Sequence, residues 1–513
     1  SVQTIRVRDE KYLYEASFTP KTIPTNDSFW PGDLIRYSLD NDGNVTTADW
    51  SAADKLEATA AVDRNIFTLK SGTITEFTNA NFNLPSYFGI TSGTSAQREA
   101  ARQLVIDYIR GGELSGSQVG KKLGDIFHSD PITVGTPSQY FYDRIDKQTT
   151  TGFETFRDAH ERTSANGKRL IIAGANDGQF HVFKAADEPE GGKEVWSFIP
   201  PNFLTRLIDV AHRTHPTSCV HRYFVDGSPT VADVWWGADK TAKASTDWHT
   251  LLVVSEGRGG YTKLWSSSAN CDTELSDEYN SGSSPHYCGY YAFDITDTTQ
   301  TSPTYLWKLG GSGALTAARG NHLGEPWGKM AMGRVLYDSG GSKEKWVGFI
   351  GGGLDTKDTT GNVSATSRGK GFYVVDSENG NILWTTTRNG PSGTNDKVHT
   401  SMDYALVGQA AMLDYDNDGF IDTVYIADKG GNVWRFKFCL KSEETCTQAD
   451  WSGDLLFNAT GNVRPIFTKP AVSRDTLGNV WVYFGTGDAI NPTSENAQES
   501  IYAVIDTSRA GTY

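Results

Sequence analysis

The sequence has no hydrophobic run of about 20 residues, so nothing in it predicts a helix that spans a bilayer. No segment of the signal-peptide type is found at its start either. Basic residues are outnumbered, because 47 lysines and arginines face 62 aspartates and glutamates, which gives a net charge of −15. This acidic balance disfavours binding to nucleic acid or to an anionic membrane and is compatible with divalent cations.

Motifs that are typical of common enzymes are missing. The chain contains no Gly-x-Ser-x-Gly nucleophile motif and no Walker phosphate loop. His212, His215, Cys219 and His221 lie close together and could ligate zinc, but their spacing matches no standard site. Structural or surface histidines are therefore the favoured interpretation, and we expect a protein without enzymatic activity.

Cysteine is scarce, with five residues in 513. Cys271 and Cys288 bracket a segment rich in serine and glycine, and Cys439 and Cys446 bracket a short polar segment. Both pairs could form disulfides that close surface excursions, which would indicate an oxidising compartment. Free thiols are the alternative for both pairs, and Cys219 is left over.

Glycine and aromatic residues are abundant, and strong helical periodicity is rare. One pattern recurs: an apolar strand, a turn of Asp, Asn and Gly, a second strand and often an aromatic strand. It is found in residues 32–43, 169–200, 289–307, 346–385, 423–437 and 480–506. The pattern predicts an all-β fold, a modified β-propeller in which sheets repeat around an axis. We count six or seven units and favour seven blades with long insertions; a stacked β-sandwich is the second choice.

One segment breaks the strand pattern and predicts a peripheral helix. Thr94 or Ser95 can cap a helix that runs through residues 97–109 and ends before Gly111. We expect it to belong to an insertion at about residues 95–128.

The whole chain, residues 1–513, is expected to form a single propeller domain that includes this insertion. Residues 54–95 and 386–402 are polar and are interpreted as loops. Ser1 and the residues after it do not resemble a natural start, so we expect the C-terminal part of a longer protein.

Residues 414–422 have the pattern of a calcium-binding loop. Carboxylates occupy positions 1, 3, 5 and 9, a glycine occupies position 6, and position 7 offers a backbone carbonyl, as in an EF-hand. The predicted ligands are Asp414, Asp416, Asp418, the Phe420 carbonyl and Asp422. Four acids in nine residues repel one another unless a cation neutralises them. A solvated acidic turn is the alternative, since Asp, Asn and Gly are ordinary turn residues.

The loop differs from an EF-hand in two respects. Position 12, which is normally a bidentate Glu, is Tyr425. The flanking residues 409–413 and 423–427 predict strands rather than helices. We therefore predict an EF-hand-like loop within a β-hairpin. Residues 40–44 could pass for a partial calcium loop, but we interpret them as a turn.

Several short segments, in fixed order, resemble one family. They are residues 123–129, 169–183, 195–201, 221–228 and 351–354. Together they are similar to the C-terminal domain of type IV pilus biogenesis and tip-associated adhesin proteins, the PilY/PilC group. The acidic loop lies where that family carries its calcium site.

The resemblance implies a modified seven-bladed propeller at the bacterial cell surface or pilus tip, exported through the periplasm and outer membrane. It also implies that Ca²⁺ at the acidic loop regulates pilus extension against retraction, twitching motility and attachment. Expected partners are pilus components such as minor pilins, with host or abiotic surfaces as further candidates. The chain has no Arg-Gly-Asp motif, so integrin binding is not supported.

A quinoprotein dehydrogenase is the alternative function. The repeated Leu-Trp strands are similar to the tryptophan-docked blades of those propellers, which also use calcium. Their adjacent pair of cysteines is absent here, and their calcium is bound by separate loops around the cofactor.

Overall fold

A computed structural model describes most of the chain. The described residues are 2–20, 29–114, 118–119, 121–138, 152–211, 221–237, 243–261, 289–309, 319, 322–338, 343–355, 368–388, 390, 393–443, 445–458, 464–490, 492 and 499–508. Cys219, Cys271, Cys288, His212 and His215 lie outside these residues, so the proposed Cys271–Cys288 disulfide and most of the histidine cluster stay predictions.

Three sheets are formed by the first half of the described chain. The first sheet contains β1 (Val2–Asp9), β2 (Tyr12–Phe18), β3 (Gly32–Leu39) and β4 (Val45–Ser51). The second contains β5 (Ile66–Lys70), β6 (Thr73–Glu76), β9 (Ile132–Val134), β10 (Leu170–Gly174), β11 (Phe180–Lys184) and β12 (Glu194–Phe198). The third contains β13 (Thr230–Trp235), β14 (Trp248–Ser255), β15 (Tyr290–Asp294) and β16 (Thr304–Lys308). A short separate pair comprises β7 (Glu113–Leu114) and β8 (Gln118–Val119).

Three further sheets follow in the second half. The fourth contains β17 (Ala331–Asp338), β18 (Lys343–Gly351), β19 (Gly371–Asp376), β20 (Ile382–Thr387) and β21 (Lys397–Val398). The fifth contains β22 (Ala411–Leu413), β23 (Thr423–Ala427), β24 (Val433–Lys437) and β25 (Ser452–Phe457). The sixth contains β26 (Ala471–Arg474), β27 (Val480–Gly485) and β28 (Ile501–Asp506). Each sheet has an antiparallel meander at its centre, because consecutive strands along the chain pair with each other.

Successive sheets pack face to face. Apolar side chains of the third and fourth sheets form one core cluster, and those of the fourth and fifth sheets form another around Trp384 and Trp434. Central strands such as β10 and β23 are buried on both faces, which explains their continuous apolar sequences. The predicted all-β propeller with few helices is confirmed.

The expected number of seven blades is not confirmed. The described residues contain six sheets of three or more strands. The sixth sheet buries one face against the fifth and leaves part of the other open, since Ile501 is 89% exposed and Tyr483 is 39% exposed.

The described helices are short, apart from one. They are α1 (Ala52–Ala58), α2 (Ser95–Arg110), α3 (Gly152–Ala159) and α4 (Leu207–Ala211). The predicted helix is confirmed as α2: Thr94 accepts a hydrogen bond from the backbone N–H of Gln97, and Gly111 ends the helix with φ +80°. No helix in the described residues is both long and apolar enough to cross a membrane.

The interpretation of residues 54–95 as a loop is wrong. This segment contains most of α1 and the β5–β6 hairpin, and β5 pairs in parallel with β12. Several of its apolar residues, such as Ile66, Leu69 and Phe77, are fully buried, and their packing orders a segment that otherwise reads as polar. Residues 386–402 likewise include the end of β20 and the short strand β21.

Candidate metal centre

The acidic loop connects β22 to β23 at the edge of the fifth sheet. These two strands pair in antiparallel fashion, with Leu413 opposite Thr423, so the predicted β-hairpin around the loop is confirmed. The backbone N–H of Asp422 donates to the Leu413 carbonyl at 3.0 Å and closes the loop. Two residues in the loop adopt left-handed backbone angles, Asn417 with φ +59° and Gly419 with φ +87°. These are residue types that tolerate such angles, and they let the chain turn sharply.

Three of the predicted ligands come together. Oxygen atoms from Asp414, Asp416 and Asp422 lie within 4.8 Å of one another. Ca²⁺ binds oxygen at about 2.3–2.6 Å, so ligands on opposite sides of one ion lie at about twice this distance. Asp422 is fully buried, whereas Asp416 is exposed, so the group extends from the core to the surface.

The fourth carboxylate, Asp418, lies outside this group of three. Its Oδ1 accepts a hydrogen bond from the backbone N–H of Phe420 at 2.8 Å. Its Oδ2 is buried and has no hydrogen-bond partner among the described residues. Burial and, to a smaller extent, the charges of Asp416 and Asp414 raise the pKa of Asp418 to about 6.

Asp414 is also an acceptor for the loop backbone. Its two oxygens accept from the N–H groups of Asp418 at 3.1 Å and Gly419 at 2.8 Å. Burial raises the pKa of Asp414 above its ordinary value, and these backbone donors oppose the shift. The donor set therefore fits a hard cation: the carboxylates are crowded, part of the site is buried, and one buried oxygen is left without a donor.

Tyr425, at the position of the EF-hand Glu, points away from the loop. It is buried, and its hydroxyl donates to Asp506 of β28 at 2.7 Å. The residue that would complete an EF-hand instead joins the fifth sheet to the sixth. The twelfth position therefore contributes no carboxylate to the loop.

Two arginines that the sequence analysis missed attach the loop to both neighbouring sheets. Arg334 of β17 donates through Nε to the Gly419 carbonyl at 2.8 Å, and its guanidinium lies 4.3 Å from the centre of the Phe420 ring. Arg474 of β26 donates to the Tyr415 carbonyl at 2.7 Å, and its guanidinium lies 4.6 Å from the centre of the Tyr415 ring. Nothing near the loop in the sequence signals them, because they are supplied by other sheets.

The other proposed sites have different outcomes. Cys439 and Cys446 form a disulfide with a Cα–Cα distance of 5.6 Å, which confirms that pair. His221 is paired through Nε2 with Asp125 at 2.7 Å and packs against Trp30. The turn at residues 40–44 is confirmed, because Asp40 accepts hydrogen bonds from the backbone of Asp42 and Asn44.

The segment at residues 169–183, which carries most of the resemblance, has a structural role. His181 is fully buried between two carboxylates, Asp177 at 3.0 Å and Glu194 at 2.7 Å. Arg64 reaches the same Glu194 at 2.9 Å. These partners outweigh burial and raise the pKa of His181 to about 9, while Arg64 and His181 lower the pKa of Glu194 to about 2. This buried charge network joins strands within the second sheet and the segment before β5.

The fold and the loop define a β-propeller with an EF-hand-like acidic loop in one of its sheets. Comparisons with known proteins then indicate its relatives. Residues 123–273 match the family model described as the PilY1 beta-propeller domain. A type IV pilus biogenesis factor PilY1 homolog from Xylella fastidiosa is 26% identical over 99% of this chain and 33% of its own length.

Similar relatives occur in a second organism. The type IV pilus biogenesis factor PilY1 of Pseudomonas aeruginosa is 25% identical over 98% of this chain and 38% of its own length. The crystal structure of the Pseudomonas aeruginosa PilY1 C-terminal domain is 21% identical, covers 73% of this chain and 64% of that chain, and has a TM-score of 0.46. The chain thus resembles the PilY1 propeller proteins, as the sequence motifs indicate, and it spans between a third and two fifths of the length of these two curated relatives.

Proposed function

We propose that the acidic loop binds one Ca²⁺ through Asp414, Asp416, Asp418, the Phe420 carbonyl and Asp422. The observation that supports this most is the convergence of three carboxylates within 4.8 Å, next to a buried Asp418 oxygen without a partner. A bound cation would remove the repulsion among these acids, and a modest rotation of Asp418 would add its oxygen to the ligand set.

We further propose that this propeller acts in a type IV pilus biogenesis factor at the bacterial cell surface. Its relatives over nearly the whole chain carry that name, and the disulfide suits an oxidising compartment. The chain would bind pilus components and perform no chemistry. Calcium occupancy would regulate pilus extension against retraction, and with it twitching motility and surface attachment.

The two arginines supply a physical route for such regulation. A loop without an ion contains mutually repelling carboxylates, and its backbone carbonyls are held by Arg334 and Arg474 from the fourth and sixth sheets. A shift of the loop on losing Ca²⁺ would therefore change contacts with both neighbours. A partner bound across these sheets would sense that change.

Calcium titration calorimetry of wild type, Asp418→Asn and Asp42→Asn tests the metal site. Asp42 is a matched control, since it is an acid in the similar turn at residues 40–44. We expect one binding event in wild type and in Asp42→Asn, and its loss in Asp418→Asn with unchanged far-ultraviolet circular dichroism. Retention of the calcium heat in Asp418→Asn would refute the assignment.

The pilus role is tested in the bacterium that makes this protein. Asp418→Asn and Asp42→Asn would be introduced into the full-length protein, and surface pili and twitching would be measured at controlled calcium. We expect a calcium-dependent defect in Asp418→Asn alone. Normal pili and motility in both variants, together with lost calcium binding in vitro, would show that the loop has only a structural role and does not regulate the pilus.

A further inference from the structure

Arg334 of β17 holds two successive peptide groups of the acidic loop. Its Nε donates to the Gly419 carbonyl, and its own backbone carbonyl accepts from the N–H of Ile421, both at 2.8 Å. These contacts lie on either side of Phe420, whose carbonyl is a proposed ligand. Gly333 permits the close approach, because a Cβ at this position would lie 2.7 Å from Cγ1 of Ile421. The loop is therefore docked directly on β17, the first strand of the fourth sheet.

The geometry of the peptide group then fixes the direction of the Phe420 carbonyl. In a trans peptide the N–H and the carbonyl point in opposite directions, and the peptide bonds on both sides of Phe420 are trans. The N–H of Ile421 points to Arg334, so the Phe420 carbonyl in the same peptide group points away from it. The Gly419 carbonyl also points to Arg334. The N–H of that peptide group belongs to Phe420 and donates to Asp418 at 2.8 Å, within the loop. Arg334 thus keeps the Phe420 carbonyl turned away from β17.

Arg334 is itself held by a buried acid, Glu344 of β18. The Arg334 side chain is 1% exposed, and its Nη1 lies 3.5 Å from Oε2 of Glu344. The other oxygen of Glu344 pairs with Nζ of Lys243 at 2.7 Å, and these two side chains are 7% and 5% exposed. Lys243 lies between β13 and β14 of the third sheet. One buried carboxylate therefore pairs with two cations and connects the third sheet to the loop.

The charge of Glu344 is what allows the two cations to lie together. Without it, Arg334 and Lys243 would repel each other across a medium of low dielectric constant. This repulsion would displace the Arg334 guanidinium and weaken its bond to the Gly419 carbonyl. The peptide groups around Phe420 would then lose one of their two contacts with Arg334, and the Phe420 carbonyl would be less well oriented.

We propose that Glu344 is a positioning residue of the calcium site: acting through Arg334, it keeps the Phe420 carbonyl turned toward the ion. This inference rests on the proposed calcium site and identifies a buried ion network that sets its affinity. Because coupling free energies are reciprocal, an occupied loop also strengthens the Arg334–Glu344 pair. Calcium would in this way stabilise the contact between the third and fourth sheets.

Terbium luminescence tests the ligand set directly. Tb³⁺ is a hard cation that replaces Ca²⁺ in oxygen sites, and its luminescence decay in H₂O and D₂O gives the number of water molecules bound to it. This number and the calcium affinity would be measured for wild type, Glu344→Gln, Glu344→Asp, Arg334→Gln, the double variant Arg334→Gln/Glu344→Gln, and Glu194→Gln. Glu344→Asp keeps the charge and shortens the side chain, so it serves if Glu344→Gln does not fold.

Glu194→Gln is the matched control. Glu194 is 3% exposed and also pairs with two cationic side chains, Arg64 and His181, but in the second sheet. This variant should be less stable than wild type and should keep the wild-type calcium affinity and number of bound waters. It therefore separates a general loss of stability from a change at the loop.

In Glu344→Gln, calcium affinity should fall by about three- to tenfold, as for the partial loss of a charged hydrogen bond. The bound Tb³⁺ should gain about one water molecule, which takes the place of the Phe420 carbonyl. Glu344→Asp should change both quantities in the same direction by a smaller amount. In the Arg334→Gln background, Glu344→Gln should have no further effect on affinity, because it acts through Arg334.

Wild-type affinity and water number in folded Glu344→Gln, or in Glu344→Asp if the former does not fold, would overturn the inference. A full further loss of affinity in the double variant would also overturn it, since Glu344 would then act by another route. Absence of both calcium and terbium binding in wild type is a different outcome, because it would refute the calcium site itself.

Discussion

At the scale of single residues, His181 illustrates how a sequence motif can serve the fold rather than a reaction. It has no exposed surface, and two carboxylates accept its ring N–H groups. From the sequence alone a histidine after Asn-Asp-Gly could be a ligand or a catalytic base. The buried ion pairs with Asp177 and Glu194 instead show that a positively charged His181 stabilises the packing of β11 against β12.

The first prediction concerns the pH dependence of stability. In the unfolded chain His181 loses its proton near pH 6.5, whereas the folded residue keeps it until about pH 9. The protonated His181 therefore contributes fully to the free energy of unfolding below pH 6.5. This contribution, up to about 3 kcal/mol, is lost as the pH rises through about 9. Urea unfolding at pH 6.5 and 9.5 measures this loss.

The control for that prediction is His181→Gln, which has no ionisable side chain. This variant should be less stable than wild type at pH 6.5, and the difference should become smaller at pH 9.5. An identical fall in stability between the two pH values in both proteins would show that other groups cause it.

A second prediction concerns the arginines that hold the acidic loop. Arg474→Gln should weaken calcium binding by about three- to tenfold, because part of the 1.5–3 kcal/mol of a charged hydrogen bond preorganises the loop. Arg334→Gln should have a similar effect and should also lower the free energy of unfolding by about 3 kcal/mol, because Arg334 is buried beside Glu344.

Calorimetric titration and urea unfolding of both variants test this expectation. Arg98→Gln is a suitable control, since Arg98 also donates to a backbone carbonyl, that of Gly93 at 2.6 Å, but on the remote helix α2. Wild-type calcium affinity in Arg474→Gln and Arg334→Gln would contradict a role for these contacts in the site.

At the scale of elements, two sheets share one kind of turn between strands. The β23–β24 turn of the fifth sheet is held by Asp428, which accepts from the side chains of Asn432 and Trp434 at 2.9 and 2.8 Å. The β26–β27 turn of the sixth sheet uses Asp475, Asn479 and Trp481 in the same way. These repeated Asp-Asn-Trp turns explain why the strand pattern was readable in the sequence.

The third prediction concerns the disulfide that closes the excursion between β24 and β25. Replacing both Cys439 and Cys446 with serine removes a constraint on the unfolded chain over a sequence separation of 7 residues. The chain-entropy relation gives a loss of about 2.5 kcal/mol for a loop of this length. Thermal or urea unfolding of the double variant, without reductant, measures the loss.

Reductant provides the control for the disulfide. Adding it should destabilise wild type more than the double serine variant, because only wild type contains the Cys439–Cys446 bond. Equal stability of the two proteins under oxidising conditions would contradict the prediction.

At the scale of the whole molecule, the loop is part of three sheets rather than one. Arg334, Arg474 and the Tyr425–Asp506 bond join the fourth, fifth and sixth sheets around it. Occupancy of the loop should therefore affect the stability of the propeller as a unit. The acidic surface, with its net charge of −15, should also attract divalent cations to it.

The fourth prediction is that calcium raises the free energy of unfolding in proportion to the logarithm of its concentration. At a free concentration 100 times the dissociation constant, the gain should be about 2.7 kcal/mol. Urea unfolding with calcium and with EDTA measures it, and Asp418→Asn should not respond. Identical unfolding of wild type in both conditions would count against a site that binds only the folded protein.

The sequence by itself determined the all-β class, most strand positions, the helix α2, the loop hairpin and the Cys439–Cys446 pair. These features depend on neighbours in the chain: alternating apolar residues, Thr94 and Gly111 at the ends of α2, and Asp-Asn-Gly turns. A periodic local pattern specifies local structure because the contacts that stabilise it lie within a few residues.

Only the tertiary structure decided the order of the segment at residues 54–95, the role of His181 and the two arginines at the loop. Arg334 lies 80 positions before Asp414, and Arg474 lies 60 after it. Contacts of such long range appear only when the sheets pack around a common axis, and no local pattern encodes which side chains meet there.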